Sequence, residues 1–363
     1  MGLVELIKYI YIDAPLIAQV ALISALVFLY GAAISFLLSI FSRVDQLAFN
    51  RRKKRLVKIY QRHLTELLFN EESDKDDELL ANVRKKYLYN DESKEIMIQI
   101  LLDQQRNFSG EFNERIRFFY DKLGLKKLSY NKLNSREWYT IAIGLKEFGL
   151  LGKPSLQKVV LPYTNHRFFI VRREAQLALV RMQGIKGLVF LDQLNYRLSE
   201  WQQLNLFETL TKVSSEEKPE LTKYLFSTNT SVISFALKLV GFFKLMGENE
   251  QLLAFLDHEE RDIRISAVQT IGRLELFQFS KQLVDSYPTQ PYEVKLEILK
   301  ALADIGGADV ADFLLEEFKS SQFETSLQAA KALNEINPGK FLELSPQVKN
   351  GMQHNNIIHQ LVG

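Results

Sequence analysis

The sequence predicts an all-α chain: a single N-terminal transmembrane helix followed by an α-solenoid of repeated helix pairs. Two observations predict it. No charged residue occurs from Pro15 to Ser42. An apolar register then recurs about every 31 residues through the C-terminal two-thirds of the chain. Eight Pro and 17 Gly in 363 residues suit helices joined by short turns. A net charge of +2 gives no global pull toward nucleic acid or an acidic polymer. The absence of Cys removes disulfides, thiolate metal sites and a cysteine nucleophile.

The uncharged run sets the first element. Leu16 to Phe41 is 26 residues, about 39 Å of helix at roughly 1.5 Å per residue, longer than a hydrocarbon core of roughly 30 Å. A cleaved signal peptide fits less well. The preceding residues carry Glu5, Lys8 and Asp13 without a basic bias, and the apolar stretch is too long. The positive cluster lies after the run: Arg43, Arg51, Arg52, Lys53, Lys54, Arg55 and Lys58. Such a collar stays on the cytoplasmic side and attracts anionic lipid headgroups. Residues 1–15, apolar and aromatic, are assigned to the outer interface and 16–42 to the span. Ser24, Gly31, Ser35, Ser39 and Ser42 are small residues in the span. Gly31 to Ser35 forms a small-xxx-small pattern that permits self-association or pairing with another membrane protein.

Residues 43–134 read as a juxtamembrane and N-terminal helical region. The helical pattern continues from the span to Asn70, and Glu71 to Glu78 reads as an acidic loop. The loop lacks the Gly and final Glu of a calcium-binding loop, so no metal is expected there. About four helices follow, with breaks near Asn90, Gly110, Gly124 and Asn134. Gly124 reads as a C-cap and Ser135 as the N-cap of the next helix.

Residues 135–340 carry the repeat. The register starts at Val171, Gln202, Val232, Ile263, Val294 and Thr325. Four residues on stand Ala175, Leu206, Ala236, Ala267, Ile298 and Ala329, and eight on stand Leu179, Leu210, Val240, Ile271, Leu302 and Leu333. Eleven on stand Met182, Val213, Phe243, Leu274, Ile305 and Ile336. One helical face is written six times. Trp138, Ala142 and Leu145 read as a degenerate first copy, about 33 residues before Val171. Each unit is expected to pair a first helix, such as Gln251 to Asp257, with a second helix, such as Asp262 to Leu274. Residues 341–363 read as a cap.

Val171-Arg-Arg-Glu-Ala175, and Asp262-Ile-Arg-Ile-Ser-Ala267 with Ile271-Gly272, resemble HEAT repeats of the short bacterial type, related to phycobilisome lyase repeats. In that class an apolar residue and Arg open the second helix. Arg172 and Arg264 match, Lys295 replaces the Arg in a third unit, and the other units lack it. The resemblance implies a HEAT/ARM-like solenoid and no particular reaction. Gly110 to Phe148 is similar to a region of bacterial membrane-anchored HEAT proteins.

Motifs for chemistry fail on inspection. Gly149-Leu-Leu-Gly-Lys-Pro-Ser155 has a Gly-Lys pair, but Glu147 and Pro154 occupy positions a phosphate loop needs for Gly and Ser or Thr. His63, His166, His258, His354 and His359 are scattered without metal-ligand spacing. No catalytic residue, metal or cofactor is expected. On the second helices, the positions six and ten residues beyond each start point away from the packed face. They supply Arg181, Lys212, Lys238, Arg273, Lys300 and Lys331 as a mildly basic ladder suited to an acidic protein surface. A solvated helix face has the same composition.

The expected function is a non-catalytic scaffold or adaptor at the cytoplasmic face of the bacterial inner membrane, holding a protein partner, such as part of an envelope or exopolysaccharide assembly. Nucleic acid is not expected. The alternative, implied by the same resemblance, is a HEAT-type enzyme of the bilin lyase or DNA glycosylase kind. The collar predicts the N-terminus outside and the solenoid in the cytoplasm. A periplasm-active reporter fused after Gly363 is expected to be silent and a cytoplasm-active one bright; the reverse pattern contradicts this orientation.

Overall fold

The computed structural model describes residues 15–69, 73–107, 110–213, 220–245, 249–344 and 357. The outer segment, 1–14, lies outside the described residues, as does the cap apart from 341–344 and the buried Ile357. The described residues are helical, with no strand among them. The chain divides into two compact units, Met1–Leu128 and Ser129–Gly363.

The first unit is led by α1, Leu16–Phe69, which is unbroken over 54 residues. One helix of the described residues is thus long and apolar enough to cross a membrane. Its environment changes along its length. From Val20 to Phe41 the described large apolar side chains are exposed, Phe28 at 77% and Phe41 at 73%. The basic residues 51–55 are exposed as well. Burial starts at Leu56 and continues at Tyr60, Leu64, Leu67 and Leu68. That spacing of four, four, three and one is a single helix face. It is covered by α3, Asp91–Asn107, and α4, Glu111–Lys122. The Tyr60 phenol donates to the Tyr87 carbonyl at 2.9 Å. Burial holds it protonated, raising its pKa well above the ordinary tyrosine value. Between α1 and α3 lies α2, Ser73–Tyr87. The described part of the expected acidic loop, from residue 73 on, is therefore the start of a helix. Gly124 has φ +71° and closes α4 as expected, with the Leu125 amide donating to the Tyr120 carbonyl at 3.2 Å.

The second unit repeats one helix seven times. After α5, Lys126–Leu133, come α6 (Trp138–Leu151), α7 (Phe169–Gln183), α8 (Glu200–Lys212), α9 (Thr230–Phe242) and α10 (Arg261–Arg273). The shorter α11 (Ser280–Ser286) precedes α12 (Tyr292–Ile305), and α13 (Ala311–Phe318) precedes α14 (Phe323–Ile336). The long helices α6, α7, α8, α9, α10, α12 and α14 start at intervals of 30 or 31 residues. The register residues at the start, four-on and eight-on positions of α7 to α14 are all buried. The equivalent positions in α6 are Thr140, Gly144 and Phe148, two residues or more from the Trp138, Ala142 and Leu145 expected from the sequence. Trp138, half-buried, opens the helix. Ser135 is not the N-cap of α6; Glu137 is, while the Ser135 hydroxyl accepts from the Glu137 amide at 3.1 Å.

The first helices of the units are shorter than expected. Gly184–Gln193 and Thr222–Phe226 are 3-10 segments, and Gln251–Ala254 is a single α turn leading into the 3-10 turn Phe255–Asp257. Side-chain amides tie these turns together. Asn165 donates to the Gln193 carbonyl at 2.6 Å, Asn229 to the Tyr196 carbonyl at 3.1 Å and Gln290 to the Leu256 carbonyl at 3.0 Å.

The long helices approach each other through small residues. A Cβ on Gly149 of α6 would lie 2.6 Å from the Ala178 Cα of α7. At the same register position, Gly241 of α9 faces the Thr270 Cα of α10 at 3.4 Å, and Gly272 faces the Ala301 Cα of α12 at 3.2 Å. Gly149, the residue that opened the phosphate-loop-like stretch, therefore serves packing. Next to it Glu147 is 1% exposed, accepting from Ser129 Oγ and Lys132 Nζ, each at 2.5 Å.

The two distances separate two outcomes. Gly149→Ala forces backbone apart and is expected to lower stability by about 1–3 kcal/mol. Gly241→Ala needs only ordinary contact and is expected to be neutral, or to gain up to about 1 kcal/mol of helix propensity. Urea unfolding midpoints check both. Equal losses at the two sites would contradict the close-approach geometry.

Candidate functional site

An open groove in the second unit lies on α8, α9 and α10, and its origin is in the register. Close approach needs small residues nine positions along one helix and seven along the next. Between α8 and α9 those positions hold Thr211 and Leu239. The backbones of α6 and α7, α9 and α10, α10 and α12, and α12 and α14 run alongside each other, whereas α8 and α9 meet mainly through side chains. The Phe207 and Phe242 rings are 4.4 Å apart and edge-on, and Lys238 Nζ donates to Gln203 Oε1 at 3.0 Å.

The result is an open groove of about 650 Å³. Phe235, buried, and Phe207, half-buried, line its apolar part, with Trp201 and Leu204 exposed beside them. Lys238 and Arg273 supply positive charge, and Glu200 stands on the same rim as Trp201. Burial lowers the Lys238 pKa, Arg273 adds to that, and Glu200 and Asp262 oppose it. A half-buried ammonium of this kind gains from a carboxylate brought to it.

The six ladder residues therefore differ in what they can offer. Lys238 and Arg273 share the groove. Arg181 is half-buried with Glu174 at 3.7 Å. Lys212 pairs with Glu208 on its own helix at 2.6 Å. Lys300 pairs with Glu297 at 2.7 Å, and Gln269 donates to the same carboxylate at 3.0 Å. Lys331 is exposed on α14. The charge that a residue-by-residue reading assigns to one continuous ladder is divided by local carboxylates.

Sequence reasoning missed exposed apolar residues at the openings of the early helices, of which Trp201 lines the groove. The position just before each register start reads Tyr139, Ile170 and Trp201, then Ser231, Asp262, Glu293 and Glu324. Tyr139, Ile170 and Trp201 are 52%, 36% and 61% exposed. The signal was present in the sequence as a switch from apolar to polar at one register position. The collar residues Arg51 to Arg55 are exposed on α1, Arg43 is exposed and Lys58 is exposed just beyond Leu56. No group of three or more His, Cys, Asp or Glu that could hold a metal ion occurs among the described residues.

No protein-family model matches the chain, and no curated protein matches it. Among solved structures it is similar to two crystal structures of engineered proteins from the Northeast Structural Genomics Consortium. The first is 14% identical and covers 82% of this chain and 97% of its own, with a TM-score of 0.36. The second is also 14% identical and covers 78% and 97%, with a TM-score of 0.20. Similarity at these scores carries no argument about fold or function.

A half-buried ammonium contributes little to stability and is costly to desolvate. Lys238→Met keeps the stem and removes the charge. Its urea midpoint is expected to match the parent or rise, within about 1 kcal/mol. A loss above about 2 kcal/mol would show that the charge holds the fold rather than awaiting a ligand.

Proposed function

We propose that this chain is a membrane-anchored, non-catalytic scaffold. On this reading α1 spans the inner membrane with its N-terminus outside. The helices from α6 onward form a HEAT-like α-solenoid in the cytoplasm, and the groove on α8 to α10 docks a protein partner. The observation that supports it most is the recurrence of one long helix at 30- or 31-residue intervals, with the same register positions buried from α7 onward. Units that contact mainly their neighbours build extended surfaces suited to holding other proteins. Anchoring confines such a surface near other membrane proteins and raises its effective concentration toward them.

Within that surface the groove is the best-equipped docking point, because aromatic anchors and a desolvated cation lie together. A HEAT-type lyase or glycosylase is the second reading. The observation that favours it is Glu200 and Trp201 on one rim of the groove. It requires turnover by the purified chain that Glu200→Gln abolishes.

The scaffold reading is tested by crosslinking in cells, detergent extraction and quantitative mass spectrometry of what co-purifies. Trp201→Asp and Lys238→Glu are expected to lower recovery of specific partners by about tenfold, the effect of losing roughly 1.4 kcal/mol at a hot spot. Lys212→Glu and Lys300→Glu, whose cations are already paired, are expected to leave recovery unchanged. Equal losses in all four variants would move the docking point away from the groove.

A further inference from the structure

A second surface, separate from the groove, stands at the N-terminal ends of α6 and α7. Here Tyr163, His166, Phe168, Trp138 and Tyr139 form a chain of rings. The centroid distances are 6.2 Å from Tyr163 to His166, 5.7 Å to Phe168, 6.1 Å on to Trp138 and 5.9 Å to Tyr139. The Arg167 guanidinium lies over the Phe168 ring at 4.7 Å. Arg172 lies over Tyr196 at 3.8 Å and within 5.9 Å of Phe169. Although the rings touch each other, they are not core. Phe168, Phe169, Tyr139 and Tyr196 are 37%, 41%, 52% and 40% exposed.

We propose that this aromatic–arginine patch is a second membrane contact, seated on the anionic headgroups of the bilayer that α1 crosses. The proposal rests on the reading of α1 as a span. Its residue types are those of the membrane interface: rings with one apolar face, at headgroup depth, beside cations. Arginine stacked on a ring keeps its in-plane N–H donors for phosphate while its face is already dry. Arg167, exposed over Phe168, is the cation placed for this, whereas Arg172 donates from one guanidinium nitrogen to the carbonyls of His166 and Arg167, at 2.9 and 3.0 Å, and keeps its Nε buried. Arg136, two residues before Trp138, adds an exposed cation, and Glu137 between them is exposed as well. His166 does not carry the charge, because burial and then Arg167 and Arg172 lower its pKa.

Each basic residue near an anionic leaflet is worth about 1 kcal/mol, so this patch is too weak to recruit a soluble protein alone. A tethered one needs far less, since the second contact becomes intramolecular. A nucleic acid is a poorer occupant, because binding along its backbone needs a long basic track. The patch instead ends within two helices. In α10, α12 and α14 the position equivalent to Tyr139 carries Asp262, Glu293 and Glu324, which an anionic surface repels.

The chain supplies its own reporter, because its two Trp residues are Trp138 and Trp201. Trp201→Phe leaves the Trp138 indole, stacked on Phe168, as sole fluorophore. The full chain is assembled in lipid nanodiscs of phosphatidylcholine, or with one lipid in three replaced by phosphatidylglycerol, both carrying brominated acyl chains. Indole quenching is expected to be about twofold stronger in the anionic discs, and the R136E/R167E pair is expected to return it to the neutral level. Equal quenching in both discs, or quenching that survives R136E/R167E, overturns the proposal. Loss of a crosslinked protein in R136E/R167E with quenching unchanged also overturns it, by assigning the patch to a protein. Release of the chain from membranes by alkaline carbonate would overturn the reading of α1 itself, distinguishing that failure from a failure of the patch.

Discussion

Close approach of helix backbones is the constraint on which the second unit depends. Dispersion contacts fall off steeply with distance, so two helices gain most where no side chain separates them. Gly149 against Ala178, Gly241 against Thr270 and Gly272 against Ala301 meet that condition at one register position in each helix pair. The start, four-on and eight-on residues then fill the space below and are buried throughout. Once this spacing is set, the turns follow. Lys244 and Glu275, 31 residues apart, both adopt positive φ at the ends of α9 and α10 and pair with each other at 2.9 Å. Two non-glycine residues hold this uncommon conformation at matching places because adjacent helices must end alike.

The groove lies where the same constraint fails between α8 and α9. Thr211 and Leu239 replace the small pair between α8 and α9, and the four-on residue of α8 is Leu206 where α7, α9 and α10 have Ala. The added volume keeps the backbones apart, and Phe207, Phe235 and Phe242 occupy part of the separation. Partner docking, if the scaffold reading holds, uses a site made by local misfit rather than by the regular part of the repeat. Half-buried Lys238 stands at that misfit.

Much of this was legible in the sequence because helical burial has a period. The register predicted the buried start, four-on and eight-on residues of α7 to α14, while of its eleven-on residues Val213, Phe243 and Ile336 are only half-buried, and the uncharged run predicted the exposed length of α1. Other features depend on three-dimensional neighbours. The first copy was misplaced because Thr140 and Gly144 are neither apolar nor large, and Gly144 is buried only because α5 lies against it, with the Ser129 carbonyl 2.8 Å from where a Cβ would be. The acidic stretch after Phe69 read as a loop because its charges hid a helix start. The basic ladder looked continuous because Glu174, Glu208 and Glu297 sit at other register positions, and only the structure brings each to its cation. The groove itself required comparing residues seven and nine places along successive helices, a pairing no single-helix pattern reveals.

Native-state hydrogen exchange, read segment by segment, tests the packing account most directly. Repeat units exchange according to the interfaces they share with their neighbours. The account predicts that α9, α10 and α12 open together with similar protection, and that α8 loses protection separately and earlier. If α8 and α9 open together, at the same free energy and with the same dependence on denaturant, the small-residue contact is not what sets the spacing of these helices.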